Sequence, residues 1–108
     1  MFIDDDKSVL RALSYNFNNP DIAYTICNTV EEALEAIKQY SPEVIFLDNH
    51  FTKGGNEGLE VADKLKDTKI KIYSTTTDPN AMGKYAKRSI EGVAKFDFNK
   101  IREIINKK

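Results

Sequence analysis

The sequence predicts an α/β fold in which one parallel sheet carries helices on both faces, a doubly wound arrangement. Three observations predict it. The apolar stretches are short and lack a regular polar alternation, as in strands that are buried on both faces. They alternate with segments whose apolar residues recur every three or four positions, as in amphipathic helices. A chain of 108 residues suits one domain, and short right-handed connections then place all the strands in one sheet.

The strands are expected where apolar residues run together between turn-forming or charged residues. Five such segments are present, at residues 1–3, 22–27, 44–47, 70–73 and 92–94. Each is followed by a segment long enough to form a helix, so the chain reads as repeated strand–helix units.

The helices are expected from their apolar faces and their end signals. The first carries Val9, Leu10, Leu13 and Phe17 on one face. The second begins at Thr29, where Glu32 three residues later predicts a capping box, and it ends before Ser41 and Pro42. The third buries Leu59, Val61, Ala62 and Leu65, the fourth covers about residues 80–89, and the last buries Ile101, Ile104 and Ile105.

The composition excludes several classes of protein. Sixteen basic and 17 acidic residues nearly cancel, so the net charge gives no reason to expect nucleic-acid binding by this domain. The apolar run VIFL at 44–47 is far too short to cross a bilayer, and no signal-peptide pattern opens the chain. We therefore expect a cytoplasmic protein without a membrane partner. Cys27 stands alone, which excludes an internal disulfide and a cysteine-based metal site, and we expect it to be buried.

Polar side chains follow four of the five predicted strands. They are Asp4, Asp5 and Asp6 after the first strand, Asp48 after the third, Ser74 after the fourth and Lys95 after the fifth. Because the carboxyl ends of parallel strands meet at one edge of a sheet, these side chains are expected to form a site. Crowded carboxylates repel one another unless a cation relieves them, and Mg²⁺ prefers oxygen ligands. Phosphoryl transfer to a carboxylate suits this set, since a metal, the Lys95 ammonium and the Ser74 hydroxyl would share the incoming negative charge.

These segments resemble a known family. FIDDDKSVLRAL at 2–13, VIFLDNHF at 44–51, IYSTTTD at 72–78 and the Lys95 segment are similar, in order and spacing, to the response-regulator receiver domain of two-component signalling, which includes chemotaxis regulators. The resemblance implies a flavodoxin-like sheet of strand order 2-1-3-4-5. It implies that the domain covers residues 1–108, with a first strand clipped at its N-terminus, and was cut from a longer regulator.

The resemblance also implies a role for each residue of the site. Asp48 would be the phosphoacceptor, and Ser74 and Lys95 would contact the phosphoryl group. Mg²⁺ would be bound by Asp4, Asp5, Asp48 and the backbone carbonyl of His50, while Asp6 would be a solvated neighbour. A histidine kinase or a phosphotransfer protein would be the donor, and the domain would assist its own phosphorylation rather than act as an enzyme. An effector domain or a second copy would bind the face formed by helix 4, strand 5 and helix 5.

The chain departs from the family pattern at several positions near the site. Thr52 stands where the family has a proline, and Gly58 lies two residues later than the usual glycine. Phe96 replaces the proline after the lysine, and Gly92 replaces an aromatic residue that usually takes part in switching. These departures favour one alternative, a pseudo-receiver that keeps the fold and binds partners without phosphorylation.

A second alternative is a fragment of a haloacid-dehalogenase-like phosphatase. FIDDDKS also fits the opening motif of that family, with Asp4 as nucleophile and Asp6 as acid/base. The chain lacks a second acidic pair downstream, and Asp48 would then stand at the end of the third strand by coincidence.

Overall fold

Strands and helices alternate along the chain in the computed structural model, which describes residues 1–52 and 54–106. The strands are β1 (Phe2–Asp4), β2 (Tyr24–Ile26), β3 (Val44–Leu47), β4 (Lys71–Ser74) and β5 (Glu91–Gly92). The helices are α1 (Lys7–Asn16), α2 (Val30–Tyr40), α3 (Glu57–Lys64), α4 (Pro79–Lys87) and α5 (Phe98–Asn106). All paired strands are parallel and lie in the order β2-β1-β3-β4-β5, so the predicted fold class and strand order are confirmed.

The two faces of the sheet bury alternate residues of each strand. On one face Ile3, Ile45 and Ile72 pack with α2, α3 and α4. On the other face Phe2 and Phe46 pack with α1 and α5. The strands are apolar on both sides because helices cover both sides, which is why the sequence lacks a polar alternation.

An aromatic row crosses four strands on the face that α1 and α5 cover. Phe2 stacks on Tyr24 at 5.4 Å and on Phe46 at 4.7 Å between ring centroids, and Phe46 stacks on Tyr73 at 5.6 Å. Each of these contacts joins residues paired in the strand register. Side chains on neighbouring strands stabilise a sheet most when they pack directly against each other, so the row fixes the register of the strands that carry the site.

The second helix begins and ends where the sequence predicts. The N–H of Glu32 donates to Thr29 Oγ1 at 3.1 Å, and the Glu32 carboxylate accepts from the N–H of Asn28 at 3.0 Å. The carboxylate therefore reaches one residue further back than in the usual capping box. Ser41 ends the helix in the left-handed conformation, with φ of 46°.

Four strand predictions need correction. The first and fourth strands each lie one residue later than predicted, so Asp4 and Ser74 are the last residues of β1 and β4 rather than the residues that follow them. The second strand is shorter than residues 22–27, since only Tyr24–Ile26 pairs with β1. The fifth strand is Glu91–Gly92 rather than 92–94. The N–H of Val93 donates to the carbonyl of Ser74 at 2.8 Å. Because β4 ends at Ser74, residues after Val93 have no β4 residue with which to pair.

None of the described helices is both long enough and apolar enough to span a membrane.

Cys27 is fully buried, as expected, and we predict that it is unreactive in the folded chain. Burial, with a smaller contribution from the charge of Glu32, raises the pKa of the Cys27 thiol from 9.0 to about 11. At pH 8 we expect iodoacetamide to alkylate the native chain at least about a hundredfold more slowly than the urea-unfolded chain. Between pH 9 and 11 the folded thiol keeps a proton that the unfolded thiol loses, so this group should lower stability as pH rises. Equal alkylation rates in the two states would contradict the prediction.

Candidate functional site

Two buried carboxylates lie side by side at the carboxyl edge of the sheet. Asp4 is the last residue of β1 and Asp48 directly follows β3, and their residues are only 3% and 5% exposed. The N–H of Asp48 donates to the carbonyl of Ile3 at 3.0 Å, which ties the ends of the two strands together. Asp4 also accepts from the N–H of Asp6 at 2.9 Å. The sheet therefore brings together two acidic residues that are 44 positions apart in the sequence.

Lys95 bridges these two carboxylates. Its Nζ lies 3.1 Å from Asp4 Oδ2 and 3.2 Å from Asp48 Oδ1. Burial raises the pKa of both aspartates, and for Asp48 the charge of Asp4 raises it further. Burial alone would lower the pKa of Lys95, but the two carboxylates outweigh burial and raise it. The site thus holds one fixed cation between two anions that repel each other.

The acidic residues fit a hard divalent cation. Asp4, Asp5 and Asp48 each offer a carboxylate oxygen, and these atoms lie within 4.8 Å of one another. Asp5 is exposed, so one side of the cluster is open to water, which Mg²⁺ usually keeps among its ligands. All the side-chain donors are oxygen atoms, and the two buried carboxylates have raised pKa values. A divalent cation bound here would stabilise the charged forms of these carboxylates.

Asp6 takes no part in this cluster. It is exposed and forms the N-cap of α1, where its carboxylate accepts from the N–H of Ser8 at 2.9 Å and from Ser8 Oγ at 2.6 Å. These hydrogen bonds lower the pKa of Asp6. Asp6 is therefore a structural cap as well as the solvated neighbour that the resemblance implies.

Ser74 lies at the end of β4, beside β3 in the sheet. It pairs in register with Leu47, the residue before Asp48, and is 1% exposed. Its Oγ accepts from the N–H of Thr76 at 3.4 Å. The strand register thus delivers this hydroxyl to the same edge of the sheet as Asp48.

The side chain of His50 connects the loop after β3 to the start of α4. Its Nε2 lies 3.0 Å from Asp78 Oδ2, and its Nδ1 contacts the backbone carbonyl of Gly55. Asp78 is the N-cap of α4 and accepts from the N–H of Asn80 at 3.0 Å. The hydrogen bond to Gly55 and, after it, the interaction with Asp78 raise the pKa of His50. This contact could not be predicted from the sequence, because His50 and Asp78 are separated by 28 positions.

Comparison with known proteins shows the family to which this chain belongs. A family model described as the cyclic-phosphate processing receiver domain matches residues 1–89. The chain belongs to the receiver-domain family. The predicted family resemblance is therefore confirmed, and it replaces the phosphatase interpretation, whose acid/base residue would be the exposed cap Asp6.

Curated relatives of this receiver domain are longer proteins. It is 34% identical over 88 residues to a protein-glutamate methylesterase/protein-glutamine glutaminase of Nitrosospira multiformis, covering 77% of this chain and 24% of that protein. It is 26% identical over 113 aligned positions to the sensory transduction protein LytT of Enterococcus faecalis, covering 99% of this chain and 46% of that protein. The chain thus spans less than half the length of either relative.

Solved structures share the fold of this receiver domain. The receiver domain of NtrX from Brucella abortus superposes with a TM-score of 0.71 at 18% identity, covering 98% of this chain and 94% of that one. A LuxR-family DNA-binding response regulator from Staphylococcus aureus superposes with a TM-score of 0.68 at 22% identity, covering 98% and 95%. At these identities the likeness establishes the fold alone.

A buried polar contact beneath the site of this receiver domain was missed at the sequence level. Asn49 directly follows Asp48 and is fully buried. Its Oδ1 accepts from the hydroxyl of Tyr85 at 3.0 Å and from the N–H of Leu59 at 3.3 Å, and its Nδ2 donates to Asn56 at 3.0 Å. One amide therefore links the end of β3 to α3 and to α4. No local pattern could have revealed it, since Tyr85 lies 36 positions away.

We predict that Tyr85→Phe destabilises the receiver domain by about 1–2 kcal/mol. Tyr85 is 1% exposed, and removing its hydroxyl takes away one of the hydrogen bonds that the buried Asn49 Oδ1 accepts. Urea denaturation of the wild type and the variant measures the difference. Tyr15→Phe is a matched control, because Tyr15 is 80% exposed and should change stability by less than about 0.5 kcal/mol. Equal effects of the two substitutions would show that the Tyr85 hydroxyl contributes nothing.

Proposed function

We propose that this receiver domain takes a phosphoryl group onto Asp48 from a histidine kinase or a phosphotransfer protein, in a reaction that depends on Mg²⁺. The observation that supports it most is the bridge of Lys95 between Asp4 and Asp48, at 3.1 and 3.2 Å. Burying a lysine and two carboxylates together costs desolvation free energy, which is why we infer that the arrangement serves to bind a charged ligand. The positive charge of Lys95 would attract an incoming phosphoryl anion toward the carboxylate of Asp48, which would act as the nucleophile.

In the proposed reaction an oxygen of Asp48 attacks the phosphorus of a donor phosphohistidine. The new O–P bond forms as the N–P bond breaks, and the donor histidine leaves with the bond's electron pair. Asp4, Asp5 and the backbone carbonyl of His50 would hold Mg²⁺ together with Asp48, and the ion would neutralise charge on the phosphoryl oxygens. Lys95 stays beside Asp48 and pairs with one of those oxygens, while the Ser74 hydroxyl donates to another. The chain thus serves as phosphoacceptor and assists its own modification.

The signal that the domain passes to a partner would depend on how the acyl phosphate changes the contacts of Lys95 and Ser74. Lys95 already contacts Asp48, so the movement of Ser74 toward the acyl phosphate would shift a pre-existing balance between two arrangements of the α4 region. The face of α4, β5 and α5 is the surface that an effector domain or a second copy would recognise. Gly92 in β5 carries no side chain to rotate, so the Tyr85–Asn49 contact is the route by which we expect α4 to sense the site.

The test of the proposed function is phosphorylation by a small donor. The chain is incubated with acetyl phosphate and Mg²⁺, with EDTA replacing the metal in a parallel sample, and the intact mass is recorded. A gain of one phosphoryl group that requires Mg²⁺ is the expected result. Binding of Mg²⁺ without any gain would favour the pseudo-receiver, for which Phe96 and Gly92 are the supporting residues. Absence of Mg²⁺ binding would overturn the assignment of Asp4 and Asp5 as ligands.

A further inference from the structure

A groove lies at the opposite end of the sheet from Asp48. It has a volume of about 400 Å³ and runs between the C-terminal parts of α3 and α4, beside the start of β4. Five of its lining residues are apolar, namely Ala62, Leu65, Ile70, Ile72 and Ile90. Ile70 and Ile90 are only half-buried, so the groove presents apolar surface to solvent. The phosphoacceptor chemistry makes no use of this surface.

The rim of this groove is cationic. Arg88 and Lys66 line it, and Lys84 lies one turn before Arg88 on the same face of α4. Residues 63–69 and 84–88 together contain six basic and two acidic residues, a net charge of +4. Since the whole chain carries −1, the rest of it carries −5. The positive charge is therefore concentrated in the two segments that flank the groove, and the charged residues of the lining itself are Lys66, Lys71, Arg88 and Asp63.

Arg88 is held in place at this rim. Its Nε and Nη2 donate to the carboxylate of Asp63 at 2.7 and 3.1 Å, and its Nη1 donates to the carbonyl of Lys84 at 2.8 Å. These bonds fix the guanidinium and join α3 to α4 across the groove. Among the described residues this is the one ion pair along the rim, so Lys66 and Lys84 add positive charge that no carboxylate within 4.0 Å balances.

We propose that this groove is a docking site for an acidic amphipathic segment of a partner protein. The positive charge of the rim favours acidic side chains, and the five apolar lining residues provide a surface against which the apolar face of such a segment can be buried. A nucleic-acid backbone would match the charge but would gain nothing from the apolar lining.

The probe is a fluorescein-labelled helical peptide of about 15 residues, with leucine every third or fourth position and glutamate elsewhere. Amide chemical shifts of the ¹⁵N-labelled chain map where it binds, and fluorescence anisotropy gives the affinity. We expect shifts at residues 62–72 and 84–90, and about tenfold weaker binding by the chain carrying Lys66→Glu and Lys84→Glu. A peptide with serine in place of leucine should also bind about tenfold more weakly.

The control variant carries Arg11→Glu and Lys38→Glu, two exposed cations on α1 and α2 that change the net charge equally. It should alter affinity by less than about twofold. The proposal is overturned if the peptide fails to bind, if both variants weaken binding equally, or if the shifts lie elsewhere. Tighter binding of a dT oligonucleotide at the same residues would assign the groove to nucleic acid. Self-association in sedimentation that Lys66→Glu and Lys84→Glu abolish would assign it to a second copy.

Discussion

Replacing Asp48 by asparagine is expected to lower the rate of phosphoryl uptake from acetyl phosphate by at least about a hundredfold. The amide of asparagine keeps the size of the side chain but lacks the nucleophilic carboxylate oxygen. Lys95 would retain Asp4 as a partner at 3.1 Å, so the variant should fold. Intact mass over time, in the presence of Mg²⁺, gives the rate, and circular dichroism checks the fold.

Asp6→Asn is the matched control for this experiment. Asp6 is exposed and caps α1, and asparagine caps helices about as well as aspartate does. It directly follows Asp5, a member of the acidic cluster, yet its own carboxylate accepts a hydrogen bond from Ser8 instead. The control should take up phosphoryl groups at close to the wild-type rate. Unchanged labelling of Asp48→Asn, or loss of labelling in Asp6→Asn, would show that the acceptor is a different residue.

Much of the candidate site could be predicted because parallel strands end at one edge of the sheet. Asp4, Asp48 and Ser74 each stand at the end of an apolar run, so a fold prediction from patterning alone already places them together. The sequence also places Lys95 at this edge, but its bridge to both Asp4 and Asp48 was not predicted and is seen only in the structure. For residues at strand ends, the local sequence pattern is therefore enough to predict where the side chain lies in the fold.

Contacts between distant side chains could not be predicted in this way. The hydrogen bond of Tyr85 to Asn49 and the pairing of His50 with Asp78 depend on how α4 packs against the loop after β3. Periodicity assigns Tyr85 to a buried helix face but does not name its partner. The displacement of β5 to Glu91–Gly92 has a similar origin, since the end of β4 limits the ladder and no residue within β5 signals it.

Gly58 departs from the family pattern in its position, and its close contacts explain why a glycine is needed there. By sequence it is a glycine two positions later than the usual one, and a longer loop precedes it. In the fold it lies in the first turn of α3, where its N–H donates to the carbonyl of Asn49 at 2.9 Å. The helix can approach the end of β3 this closely only because the residue has no side chain.

Gly58→Ala is accordingly expected to destabilise the chain by about 2–3 kcal/mol. An added Cβ would lie 2.3 Å from the carbonyl oxygen of Asp48, 2.4 Å from the Tyr85 hydroxyl and 2.7 Å from the Cα of Asn49. Two of these atoms belong to backbone and the third to a fully buried side chain, so relief requires α3 to move away from β3. Alanine's better helix propensity offsets at most about 1 kcal/mol of the cost. Urea denaturation monitored by circular dichroism measures the change.

Gly83→Ala separates this clash from the effect of propensity. Gly83 also lies within a helix, α4, but a Cβ there would meet no atom within 4 Å. That substitution should stabilise the chain by about 0.5–1 kcal/mol, so the two alanine variants should differ by about 3 kcal/mol. A displaced α3 would also disturb the carbonyl of Asp48, and phosphoryl uptake by Gly58→Ala should slow while Gly83→Ala keeps the wild-type rate. If both variants instead gained stability equally, α3 would not pack against Asp48 as closely as these distances require.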